Sequence, residues 1–185
     1  MKAALAAIAF AVLPASLPVH ADDAAMWKLL KEGGVVALMR HTETSPGVGE
    51  QPGMRADDCA TQPNLTAEGK RRAKAIGEAL HAHGIEFDRV ISSPLCRCLD
   101  TAKLAFGRVD ETQALSRAGQ EDQRLHTREM RATASEKRRG TTVMVSQGRI
   151  VEAVTGIMPA PGELVIVAPQ GDGHFEVRGR LLAAP

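Results

Sequence analysis

Along the chain, short unbroken apolar runs alternate with longer segments whose apolar positions return every three to four residues. The first periodic segment, Asp22 to Glu32, puts Ala25, Met26, Leu29 and Leu30 on one face and meets Gly33-Gly34, as an amphipathic helix with a glycine stop does. Val35 to Met39 carries no polar interruption and reads as a strand buried on both faces. From Glu43 to Pro63 the chain is rich in Gly, Pro, Asp and Thr and has neither period. A loop of that length in a compact domain is more often a functional wall than a mere connection. Thr66 suits the cap of the next helix, with Glu68 near its positive dipole end, Ala73, Ile76, Gly77 and Leu80 on its buried stripe, and Gly84 as its stop.

A second buried strand follows at Arg89 to Ser93, and Pro94 fits the start of a helix running to about Phe106. Gln113 to Arg139 is charge-rich and weakly amphipathic and is read as helical. Val143 to Val145 is a third strand; beyond the polar turn Ser146-Gln147-Gly148, Ile150, Val151 and Val154 resume a helical period. Two further strands, Glu163 to Pro169 and His174 to Leu181, are joined by a hairpin turn at Gln170-Gly171-Asp172-Gly173. This alternation predicts an α/β three-layer sandwich with a mainly parallel central sheet and helices on both faces. Sites in such sheets lie at the carboxyl ends of the strands. Three of those ends carry Arg40-His41-Thr42, Ser92-Ser93-Pro94 and Ser146-Gln147-Gly148.

Composition changes this picture at the amino terminus. Lys2, the apolar stretch Ala3 to Leu13 and the small residues around Val19-His20-Ala21 have the layout of a secretory signal, so residues 1–21 are read as cleaved and 22–185 as one domain. The stretch is short for a span and is broken by Pro14 and Pro18, so no stable membrane span is expected after cleavage; a retained tether is the alternative. Loss of Lys2 takes the formal charge from +1 to about zero, and the chain has no tyrosine, so neither a nucleic-acid surface nor a base-stacking platform is indicated. Cys59, Cys96 and Cys98 are three thiols in a chain expected in an oxidising compartment. Cys96 and Cys98 point to different sides of a helix, which favours a bridge from Cys59 to one of them, worth about 3–4 kcal/mol in a chain-entropy model. A zinc site is the other use of such cysteines, but no second Cys or His stands at ligand spacing from Cys59.

Three ordered motifs then narrow the chemistry. "LMRHTET" after the first strand, "NLTAEGKRRAKAIGEAL" as the following helix and "VISSPLCRCLDTAKLAF" after the second strand together resemble the histidine phosphatase superfamily, whose fold is that of the phosphoglycerate mutases. With the closing strand and helix, the resemblance covers nearly all of residues 22–185. It implies that His41 is the nucleophile that becomes a phosphohistidine, and that Arg40 and Arg97 grip the phosphate with planar forks. It places Thr42 and Gln147 at the substrate as well, and implies no metal and no cofactor. Where active relatives carry a second histidine after the third strand, this chain has Gln147, which can donate from its amide but cannot carry a proton or a charge.

The carboxylate that would protonate the leaving group is expected before the third strand, where the chain offers Glu121 and Asp122; Glu43 is a further candidate. His81, His83, His126 and His174 hold no strand-end position and are not expected to replace the missing imidazole. The reading is an exported, metal-independent phosphomonoester phosphatase acting on a phosphorylated small molecule, glycan or phosphoprotein. The alternative is an inactive pseudophosphatase that binds a phosphorylated ligand or partner. A mutase proper is disfavoured, because the family's mutases are larger and act on a cytoplasmic substrate.

Overall fold

The structure is a computed structural model and describes residues 23–45, 52–55, 57–110 and 123–184. Residues 1–21, expected to be a signal, the candidates Glu121 and Asp122 and the first part of the charge-rich segment lie outside those residues. In chain order the elements are α1 (Asp23–Glu32), β1 (Val36–Arg40), α2 (Ala67–Ala82), β2 (Arg89–Ser92), α3 (Cys96–Phe106), α4 (Gln123–Ala134), β3 (Thr142–Ser146), α5 (Gly148–Thr155), β4 (Leu164–Gly171) and β5 (His174–Leu181), with a one-turn 3-10 helix at Cys59–Thr61.

The five strands form one sheet in the order β2-β3-β1-β4-β5. β2, β3 and β1 run parallel, whereas β4 and β5 are antiparallel to their neighbours, so the sheet is mixed and its parallel part is the half that carries the three polar strand ends. Alternation along β1 sorts the core into two layers. Ala37 and Met39 face Met26 and Leu30 of α1, Ile76 and Leu80 of α2, and Cys98 and Ala102 of α3. Val36 and Leu38 face Met130 and Ala134 of α4 and Ile150, Val151 and Val154 of α5. A strand coated by helices on both sides must be apolar at every position, which is why β1 reads as an unbroken run.

Two boundaries differ from the expectation. Helix α3 begins at Cys96 with Leu95 at its cap position, two residues beyond Pro94, so the proline bends the chain between strand and helix instead of opening the helix. Within the charge-rich segment, the described helix ends at Ala134, short of the expected Arg139. The hairpin turn is the expected one: Asp172 and Gly173 have φ of 52° and 79°, the pair of left-handed residues that a two-residue turn matching the strand twist requires.

The glycine of the Leu65-Thr66-x-x-Gly69 stretch has a packing cause. Thr66 caps α2 by accepting from Gly69 N–H at 3.0 Å, and its own N–H donates to Glu43 O at 3.0 Å, while Thr44 and Leu65 form a β-bridge. The segment leaving β1 therefore lies across the first turn of α2. A Cβ on Gly69 would run into the Glu43 carbonyl and come within 3.0 Å of its nitrogen. Gly69→Ala is accordingly expected to destabilise the fold by about 1–3 kcal/mol, although alanine is the better helix former, because backbone must move to make room. Urea denaturation of the two proteins measures it.

Candidate active site

The three polar strand ends are tied to one another through β3. His41 N–H donates to Ser146 O at 3.0 Å and Ser93 N–H donates to Val145 O at 2.9 Å, extending the parallel ladder past the last strand residues. The chain therefore delivers His41, the Ser92-Ser93 turn and Gln147 at the same end of the sheet, next to the amino-terminal ends of α3 and α5.

His41 is buried, and its Nδ1 lies 2.7 Å from the Thr42 carbonyl oxygen. A carbonyl can only accept, so the proton sits on Nδ1 and the lone pair is left on Nε2. Burial, followed by the positive charges of Arg97 and Arg40, lowers the imidazole from 6.5 to about 4, although the Thr42 bond pulls the other way. The ring is thus neutral at ordinary pH and keeps its Nε2 lone pair in the field of two cations, an arrangement suited to attack on an anionic electrophile that the cations also attract.

Arg40 ends β1 and is held by the Pro159 to Glu163 segment. Its N–H donates to Glu163 O at 3.2 Å, its O accepts from Gly162 N–H at 3.1 Å, and its Nη1 donates to Pro159 O at 3.0 Å. Glu163 fastens that segment by accepting from Arg180 Nε and Nη2 at 2.7 Å each and from Ala160 N–H at 2.7 Å. Burial pushes the Glu163 carboxyl up, but the Arg180 fork and the Ala160 N–H outweigh it and hold the group below its usual range. The stem of Arg40 crosses the start of α5. A Cβ at Gly148 would stand 2.9 Å from Arg40 Cδ and 3.1 Å from both Arg40 Nε and Met158 Sδ, so a glycine follows Gln147 for room. Arg40 Nε is a buried donor with no acceptor among the described residues, and such a donor is suited to an oxyanion.

Arg97 is the second residue of α3 and is only 4% exposed. Its turn is coupled to His41 by Thr101, whose hydroxyl donates to Arg97 O at 2.7 Å and accepts from Thr42 N–H at 3.2 Å. Thr42 was expected at the substrate. Its hydroxyl is instead fully buried, 3.3 Å from Thr101 Oγ1, while its carbonyl sets the imidazole tautomer. Thr101 escaped the sequence reading, although its place one helical turn after Arg97 was a signal that could have found it.

Gln147 occupies the cap position of α5 with extended backbone (φ −78°, ψ 146°) and makes no side-chain capping bond. Its Oε1 accepts from the Ser146 hydroxyl at 3.2 Å. With the oxygen engaged, the amide group is left with its two N–H donors as the outward chemistry of the side chain.

Glu43 forms an ion pair with Arg72 of α2, which draws its carboxylate toward that helix, and its backbone takes part in the Thr66 contact already described. Glu121 and Asp122 lie outside the described residues. His83 stacks on Trp27, ring centroids 3.8 Å apart, at the far end of α2, consistent with a packing part for that residue. The cysteine alternatives resolve as a Cys59–Cys96 disulfide, with Cys98 buried and outside the bridge. Among the described residues no group of three or more His, Cys, Asp or Glu side chains is placed to hold a metal ion, and no helix is long and apolar enough to cross a membrane.

Residues 36–168 match the family model described as histidine phosphatase superfamily, branch 1. The chain belongs to the histidine phosphatase superfamily. Its fold is shared with solved structures at low identity. One is the protein histidine phosphatase SixA complexed with tungstate, at 15% identity and a TM-score of 0.58, covering 80% of this chain and 97% of that one. Another is a phosphohistidine phosphatase SixA from Agrobacterium tumefaciens, at 19% identity and a TM-score of 0.55, covering 82% and 98%. A third is a phosphoserine phosphatase from Entamoeba histolytica complexed with 3-phosphoglyceric acid, at 16% identity and a TM-score of 0.55, covering 79% and 95%. Curated protein sequences yielded no match.

For this histidine phosphatase family member the buried imidazole has a thermodynamic signature. Because folding lowers the His41 value from 6.5 to about 4, the unfolded chain binds a proton in that window that the folded chain refuses, and stability falls as pH drops through it. Denaturation midpoints across the window are expected to show a His41-dependent loss of about 3 kcal/mol that is missing in His41→Ala.

Proposed function

We propose that the chain is an exported phosphatase of the histidine phosphatase type, acting on phosphomonoesters or phosphohistidine through a covalent phosphohistidine on His41. The observation that carries the reading is the state of His41: a neutral imidazole with Nδ1–H committed to the Thr42 carbonyl and Nε2 left as nucleophile beside Arg97 and Arg40. In the first step the Nε2 lone pair attacks phosphorus and the P–O bond to the leaving group breaks. In the second, water attacks phosphorus, the N–P bond breaks and inorganic phosphate departs. The two guanidiniums meet the charge on the equatorial oxygens, the part that such a transfer most needs.

Gln147 enters the mechanism as a neutral donor opposite the nucleophile, with its amide oxygen engaged by the Ser146 hydroxyl. It stabilises the oxyanion by a hydrogen bond and cannot relay a proton. The proton for the leaving group comes from a carboxylate, for which Glu121 and Asp122 remain the proposed carriers. Export is supported by the layout of residues 1–21 and by the disulfide, which persists most readily in an oxidising compartment. Substrate is a phosphorylated small molecule, glycan or phosphoprotein. A second reading, a pseudophosphatase that binds a phosphorylated ligand without turnover, is motivated by Gln147 alone, since its amide keeps a binding contact while losing proton transfer.

Hydrolysis of a generic aryl phosphate separates the two. The enzyme reading expects turnover by the wild type that His41→Ala abolishes, and Gln147→His should raise kcat by about tenfold or more, given that one oxyanion donor is worth about 10²–10³ and a neutral donor retains part of that. Equal rates in wild type and His41→Ala, with phosphate still bound, favour the pseudophosphatase.

A further inference from the structure

The wall of the site beside Arg97 is built in an unusual way. Cys96 and Arg97 are the first two residues of α3, so the Cys59–Cys96 disulfide ties the preceding loop to the residue directly before the arginine. The helix needs outside help at that end, because its cap residue is Leu95, which has no side-chain acceptor to offer. Gln62 supplies one from the loop: buried at 7% exposure, its Oε1 accepts from Cys96 N–H at 2.8 Å while its Nε2 donates to Arg55 O at 2.8 Å. The loop side of this tie is itself braced. Asp58 accepts from Ala60 N–H at 3.1 Å, Thr61 Oγ1 donates to Asp58 O at 2.7 Å, and Asn64 Nδ2 donates to Cys59 O at 2.7 Å.

Resting on the reading of Arg97 as a phosphate ligand, we propose that the Cys59–Cys96 bridge and Gln62 form a clamp that positions Arg97, and that reduction of the bridge by a dithiol lowers the affinity of the site for phosphate. The two sulfurs are unequal. Cys59 is exposed and Cys96 is 4% exposed, so a thiolate of the reductant attacks Cys59 Sγ. The S–S bond breaks and Cys96 leaves with the electron pair as a thiolate, stabilised by its place in the first turn of α3. The second thiolate of the reductant then attacks its own mixed disulfide and frees Cys59. Two electrons pass from the dithiol, which becomes a disulfide, to the two protein sulfurs.

Two consequences converge on Arg97. The loop loses its covalent hold on the helix start, where the Gln62 bond stays as a weaker tie, and a new negative charge appears at the neighbouring residue, where it competes with an oxyanion for the guanidinium. Cys98 takes no part in the clamp: it is fully buried and packed in the core layer under α1, α2 and α3. Gln62 is therefore a positioning residue, and the bridge is its redox-sensitive partner.

The experiment is a calorimetric titration of the full chain with inorganic phosphate, oxidised and after dithiothreitol, with thiols counted in each sample. Reduction is expected to weaken phosphate binding about tenfold, as misplacement of one gripping group does, and reoxidation to restore it. With the bridge intact, Gln62→Ala should weaken binding in the same direction. Cys98→Ser should respond as the wild type does. In Arg97→Ala the difference between oxidised and reduced protein should vanish, a result that general loosening of the fold would not produce. Equal affinity in oxidised and fully reduced wild type overturns the clamp. If reduction unfolds the chain, unchanged affinity in oxidised Gln62→Ala overturns it instead. Oxidised wild type that binds no phosphate at all defeats the underlying reading of the site, an outcome distinct from the other two.

Discussion

The contact of 2.7 Å between His41 Nδ1 and the Thr42 carbonyl leaves the imidazole one tautomer, and most of the site can be understood as what is needed to keep that contact in place. Burial removes the solvation that would stabilise a protonated ring, and the two arginines make a further positive charge there costly. The Thr42 backbone is pinned in turn by Thr101, which also holds the carbonyl of Arg97, so imidazole and guanidinium share one hydrogen-bonded frame at the junction of β1 and α3. On the other side Arg40 is fixed by the Pro159 to Glu163 segment, itself locked by the Arg180 fork. The fold contributes direction: three parallel strands end together, and two helices start there.

Charge balance explains why Gln147 is compatible with this frame. A second imidazole would add a proton-dependent cation to a pocket that already holds two guanidiniums. The amide gives a donor of fixed charge, oriented by Ser146, and asks nothing of pH. The same economy appears at α3, where a leucine stands at the cap position and the acceptor comes from a loop 34 positions earlier in the chain. At α3 a helix start that ordinarily manages its own hydrogen bonds is completed by a distant neighbour.

Elements with local causes were legible from residue order. The unbroken run of β1, the Thr66 cap, the Asp172-Gly173 turn and the placement of His41 and Gln147 at strand ends follow from periodicity, capping chemistry and turn geometry within a few residues. Features that depend on how distant segments dock were not. Periodicity could restrict the bridge to Cys59 with Cys96 or Cys98, but the choice depends on α3 starting at Cys96, which turns that residue to the loop and Cys98 to the core. The expected helix start at Pro94 hid this. The resemblance placed Thr42 at the substrate, and no spacing rule announced that its side chain is buried against Thr101. The Glu163–Arg180 lock pairs β4's approach with β5, and no spacing rule links those positions in advance.

The account stands on His41 acting as a nucleophile in a two-step transfer, and the most direct measurement is detection of the intermediate. Rapid mixing with a small phosphoryl donor, quenching in alkali to preserve the acid-labile N–P bond, and peptide mass mapping would locate it. The account predicts one phosphoryl group on the peptide carrying His41 and none in His41→Ala. Steady turnover with no phosphoryl group on His41, or with the group on another residue, would contradict it.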